Sequence, residues 1–239
     1  MPLCRPECGP GTTALVPEWQ YDACRMEQRL TPLRVGMFIA GIFSLWVAAW
    51  LVSGALGLEK ATTYWLPAKA LVWVVYPLLY WRASPGKQLV FIGWRQADMH
   101  CGLIWGVGAA VVWVALSLMT APTQGRQHLA LHITLTLVYS TLVTPILEET
   151  LFRGYIQSAI IGLGWRPWTA ITVTSLLFVV LHFVGWSFQG VLPANALSVY
   201  PSILFALSLL LGFVRHRSGS LLASTTLHLV NNVTSTWLH

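Results

Sequence analysis

The chain is poor in charge. Only 9% of its 239 residues are Asp, Glu, Lys or Arg, against about 25% in ordinary soluble domains. Such a composition excludes a normal water-facing surface. Acidic residues are the scarcest, eight in all, and beyond Asp98 only Glu148 and Glu149 remain. Any carboxylate chemistry in the second half must therefore rest on that pair. Cysteine is scarce too: Cys4, Cys8, Cys24 and Cys101 are too few for a disulfide framework in a chain of this size. No histidine lies near Cys4 and Cys8 to complete a zinc site of usual spacing, so free thiols on a reducing face are expected. No repeat, low-complexity tract or cleavable signal peptide is visible, the first ~35 residues being polar. The net charge is +6, but the basic residues are scattered between apolar runs and form no patch, which argues against a nucleic-acid partner.

What remains is apolar: 56% hydrophobic residues and 13 tryptophans. Several runs approach or exceed the ~18–20 residues needed to cross a bilayer. The expectation is an all-α, polytopic transmembrane helical bundle of about seven spans. Residues 1–35 read as a cytoplasmic tail with a helix around 18–30, and Met26 and Met37 are alternative starts. N-terminal transmembrane helices occupy 36–127, with spans at 36–58, 62–81 and 101–121. The core, 128–239, holds the last four spans: a long run 128–162 in which Pro145 should kink the helix, then 168–184, 199–214 and 220–238. With seven spans, ten Lys and Arg residues fall on one side and two, Lys60 and Arg126, on the other. That bias places the N-terminus in the cytoplasm.

Glu148, Glu149 and Arg153 lie inside an apolar span, where an ionised group costs roughly 2.5–3.5 kcal/mol on insertion scales. Glu149 and Arg153 are four apart with the acid first, the favourable order for a helical ion pair. Glu148 points about 100° away and has no cation nearby in sequence. A desolvated carboxylate without a partner holds its proton more tightly, which suits a general base. At ~1.5 Å per residue, Glu148 and His182 each stand ~21 Å from the turn 162–168. His228 and Asn232, one turn apart in the last span, come to ~14–20 Å on the same scale. All four can share one layer, where Glu148 and His182 would activate water and protonate a leaving amine, and His228 and Asn232 would donate to an oxyanion. Singly, each has a plainer reading: helix–helix hydrogen bonding for the histidines and Asn232, and a structural pair for Glu149 and Arg153. His132, which belongs to no motif, reads as structural.

These residues resemble a family pattern, that of the CPBP intramembrane proteases, which include the Rce1-type CAAX prenyl endopeptidases and bacterial Abi proteins. E-E-x-x-x-R is Glu148-Glu149 with Arg153, F-x-x-x-H is Phe178 with His182, and H-x-x-x-N is His228 with Asn232. The resemblance implies a glutamate-dependent intramembrane protease with Glu148, His182, His228 and Asn232 catalytic, and Glu149, Arg153 and Phe178 in support. The glutamate/histidine set could bind zinc, but H-E-x-x-H or a comparable cluster is absent, so the metal-free reading, with no cofactor, is the one expected. Implied partners are the lipid bilayer and a membrane-embedded, prenylated or sorting-signal substrate cut near its C-terminus. The tryptophan-rich spans and residues 60–121 resemble members acting on C-terminal sorting segments. A bacterial cytoplasmic membrane is the expected location. Two other readings stand beside the protease: a non-catalytic scaffold or immunity protein of the same family, and a proton-coupled transporter, which should show internal repeats with paired broken helices.

Overall fold

The structure is a computed structural model that describes residues 30–58, 61–81, 91–120, 138–192 and 198–237. The expected tail helix, Cys4, Cys8, Cys24, Lys60, Arg126 and His132 lie outside the described residues. Among those described there is no strand, and seven helical bodies follow one another.

Helix α1 spans Pro32–Leu56. Thr31 caps it by accepting from the Arg34 backbone N–H, Pro32 supplies a pre-set φ in the first turn, and Gly57 ends it in the left-handed region at φ 65°. Val35, Phe38, Ile42, Trp46, Trp50 and Ser53 repeat every three or four residues and form the buried stripe. The opposite face is equally apolar, with Leu33, Met37, Leu51 and Leu56 exposed, as expected where the surrounding medium is lipid. The 3-10 turn Gln96–Asp98 leads into α3, Met99–Thr120. Helices α5 (Pro167–Phe188), α6 (Tyr200–Ser218) and α7 (Leu221–Trp237) complete the regular set. By length and apolar composition α1, α3 up to Met119, and α5 can cross a membrane, making this a multi-pass membrane protein.

The other two helices are each interrupted by wide turns. Helix α2 runs as Thr62–Ala70, a π turn Leu71–Val75 and Tyr76–Trp81. Helix α4 runs as a π turn Tyr139–Val143, an α segment Thr144–Glu149, a second π segment Thr150–Ile156 and Gln157–Gly162. The helix expected to kink at Pro145 continues through it, with a π turn just before the proline. A proline inside an α-helix clashes with the carbonyl four residues back and gives no N–H. In both helices the π turn ends two residues before a proline, Pro77 or Pro145, and the ladder there runs five residues back, Tyr76 to Leu71 and Thr144 to Tyr139. Widening the turn makes room for the ring without ending the helix.

Two apolar clusters result. The larger joins α1, α2, α4 and α5 around Phe38, Trp46, Trp73, Phe152 and Phe178. The smaller joins α3, α6 and α7 around Ala110, Leu211, Ala223 and Leu227. Close approach of α3 to α7 depends on Gly106, where an added Cβ would stand 2.9 Å from the Ala223 carbonyl oxygen. Helix α4 reaches both sets of helices, through Lys69 of α2 and through Ser208 of α6 and His228 of α7.

Candidate intramembrane active site

Helix α4 brings its acidic pair to the protein interior, with Glu148 and Glu149 both buried. Arg153 lies in the second π segment, and its Nη1 donates to Glu149 Oε1 at 2.8 Å, the pair the spacing predicts. Its Nη2 donates to the Ser208 hydroxyl at 2.7 Å and to the Ser208 carbonyl at 3.1 Å. The guanidinium also lies over the Phe178 ring at 4.8 Å. One arginine thus ties α4 to α5 and α6.

His228 links the two acids. Its Nδ1 donates to Glu149 Oε1 at 2.8 Å, and its Nε2 is 3.7 Å from Glu148 Oε2. Asn232, one turn further along α7, donates through Nδ2 to the Ser140 carbonyl at 3.0 Å. That carbonyl belongs to the first π turn, which frees a backbone acceptor for such a bond. The Asn232 amide is held from its other end as well: Asn231 Nδ2 donates to Asn232 Oδ1, and Trp113 Nε1 of α3 donates to Asn231 Oδ1, each at 3.0 Å.

Helix α5 supplies Phe178 and His182. Phe178 is fully buried, edge-on to Phe152 at 4.9 Å and 4.6 Å from the His182 ring. His182 Nδ1 donates to the Phe178 carbonyl at 2.8 Å. A carbonyl only accepts, so Nδ1 carries the hydrogen, and in the neutral tautomer this leaves the lone pair at Nε2.

Glu148 and His182 line one cavity of about 330 Å³ with Lys69, Tyr139, Ser140 and five tryptophans, Trp46, Trp50, Trp65, Trp73 and Trp186. No hydrogen bond joins His182 to Glu148. His228 and Asn232 are not among the lining residues; they reach the cavity through Glu148 and Ser140. The four residues thus come together about one recess, and two of them line it.

Sequence reasoning missed Lys69. Its Nζ is 3.9 Å from Glu148 Oε1 and donates to Thr144 Oγ1 at 3.3 Å. Glu148 was expected to have no cation nearby in sequence, and it finds one 79 positions away on another helix. The signal was available: Lys69 is the one charged residue within 61–81, as isolated in its span as the glutamates are in theirs. Ser208 gave no such signal.

Residues 130–234 match the family described as type II CAAX prenyl endopeptidase Rce1-like. This segment is similar to that family. It contains Glu148, Glu149, Arg153, Phe178, His182, His228 and Asn232, whereas Lys69 and Trp113 lie before it. The Rce1-like family is a family of proteases. An uncharacterized 24.3 kDa protein of Escherichia coli is 34% identical over 142 residues, which cover 54% of this chain and 61% of that relative. The match therefore spans less than two thirds of the relative's length. No solved structure matches.

Proposed function

We propose that this protein is an intramembrane endopeptidase in which Glu148 and His182 activate a water molecule. The supporting observation is that these two groups line one recess and each can offer an acceptor, a carboxylate and the Nε2 atom that the Phe178 carbonyl leaves available. A water held between them donates one hydrogen to each. Glu148 takes a proton as the water oxygen bonds to the scissile carbonyl carbon, giving a tetrahedral oxyanion. The family resemblance assigns His228 and Asn232 to that charge; standing behind Glu148 and Ser140 here, they would turn into the recess to donate to it. Collapse breaks the C–N bond, and a proton from the Glu148–His182 pair passes to the leaving amine nitrogen.

Glu149, Arg153 and Phe178 hold this arrangement without touching substrate. No metal enters the reading: among the described residues no three His, Cys, Asp or Glu side chains are placed to share an ion, and Glu149 Oε1 already accepts from Arg153 and His228. The substrate is a membrane-embedded or lipidated protein segment, prenylated or sorting, cut near its C-terminus. All seven helices span, the N-terminus is cytoplasmic, and the site lies in the cytoplasmic membrane of a bacterium. The division into a tail, N-terminal helices and a core 128–239 belongs to the same proposal.

The test compares membranes of the native host carrying wild type or Glu148→Gln, by mass spectrometry of membrane-protein C-termini. Termini shortened only by wild type identify the activity and the substrate together. Loss of a positioned general base costs about 10²–10⁴ in rate, so the variant should leave those termini intact. Identical termini, with both proteins accumulating equally, sink the protease reading and favour a scaffold.

A further inference from the structure

We propose that Lys69 is a positioning residue of this site, an ammonium from the N-terminal helices that keeps Glu148 charged and aimed into the cavity. The inference rests on Glu148 being the base, and it means that the Rce1-like segment does not form its site alone.

A lysine in an apolar span ordinarily extends its stem to bring the ammonium to the membrane surface. Lys69 instead turns inward and lines the cavity. Its Nζ grips α4 at two points on one face, Thr144 Oγ1 at 3.3 Å and, one turn on, Glu148 Oε1 at 3.9 Å. The rings of Trp73 and Tyr139 flank it at 4.9 and 5.4 Å. That setting fixes both the height of the ammonium and its direction.

Charge pairing points the same way. The groups around Glu148 are Lys69 from α2, Tyr139, Glu149 and Arg153 from α4, His182 from α5 and His228 from α7. Arg153 is committed to Glu149 and Ser208, and His228 Nδ1 to Glu149. Among the described residues, Lys69 is then the basic group left to pair with the second carboxylate. Its removal would strand Glu148 in a low-dielectric layer, where a lone carboxylate is driven to its protonated form and no longer takes a proton from water.

The experiment uses the full-length protein in lipid nanodiscs at neutral pH, as wild type, Lys69→Met, Lys69→Arg and Glu148→Gln. Infrared difference spectra against Glu148→Gln isolate the Glu148 band. Wild type and Lys69→Arg should give a carboxylate stretch, and Lys69→Met a protonated-acid carbonyl band. Turnover of the peptide found by C-terminal mass spectrometry should fall at least about tenfold in Lys69→Met, in kcat with KM little changed, and recover largely in Lys69→Arg. An unaltered carboxylate band in Lys69→Met overturns the inference, as does unaltered turnover. Should Lys69→Met not accumulate, Lys69→Gln replaces it with a neutral side chain of similar length. If wild type cuts nothing, the protease reading fails, and the infrared spectra still decide whether Lys69 holds Glu148 charged.

Discussion

Replacing Arg153 by Ala removes the cation of a pair that is almost wholly shielded, Arg153 being 1% and Glu149 0% exposed. Three hydrogen bonds go with it, to Glu149 Oε1 at 2.8 Å and to the Ser208 hydroxyl and carbonyl at 2.7 and 3.1 Å. Glu149 keeps the bond from His228 but loses its fixed counter-charge. Breaking a buried pair from one side costs about 3–5 kcal/mol, because the surviving charge stays desolvated. For a chain of this length each kcal/mol moves Tm by about 2–4 °C, so the melting point should drop on the order of 10 °C. Thermal unfolding in detergent, followed by tryptophan fluorescence, measures it. Glu149→Gln/Arg153→Met removes both charges together, and its loss should be smaller than the sum of the single losses by roughly 1–3 kcal/mol. A Tm for Arg153→Ala within about 2 °C of wild type, or a double variant that simply adds the two singles, would refute the argument that this pair joins α4 to α6 and α7.

Other expectations follow from the same geometry. Trp113→Phe deletes the indole N–H that anchors Asn231, and through it Asn232; the lost hydrogen bond is worth about 1 kcal/mol, so turnover should fall about fivefold. Melting of that variant should barely move. Gly106→Leu drives a side chain into the Ala223 carbonyl and the Thr226 Cβ, both 2.9 Å from where its Cβ would stand. It should cost at least the ~1–3 kcal/mol of an overpacked contact, read as lower yield in membranes and a lower Tm. Incubation with EDTA or phenanthroline should leave turnover within about twofold, since no ligand set is assigned to a metal. Progressive loss restored by zinc would overturn the metal-free mechanism.

Local periodicity was legible in the sequence; contacts between helices largely were not. Glu149 and Arg153 could be paired beforehand because four residues place two side chains on one helical face. Helical rise predicted a common depth for Glu148, His182, His228 and Asn232, and the structure gathers them about one recess, but rise carries no azimuth. It could not say that His182 would spend Nδ1 on its own helix, nor that His228 and Asn232 would stand back from the lining. Ser208 is a serine in an apolar helix, indistinguishable in sequence from any other packing residue until Arg153 reaches it. Lys69 was legible in principle, by the same reasoning that singled out the glutamates. The continuation of α4 through Pro145 was not, since a proline in an apolar run signals a kink or a wide turn equally well.

The wide turn at Tyr139–Val143 also acts as a counting device. It holds one more residue than an α turn would, and each residue rotates the rest of α4 by about 100°. Which of two neighbouring glutamates meets Lys69 is therefore decided upstream, by the number of residues in that turn, while Arg153 turns together with its own partner Glu149. A chain with one residue fewer there would carry the same Glu-Glu letters turned by one step, with the second acid brought round to the direction the first now takes. Matching relatives by motif alone would miss that exchange, whereas matching the extra residue before Pro145 would reveal it.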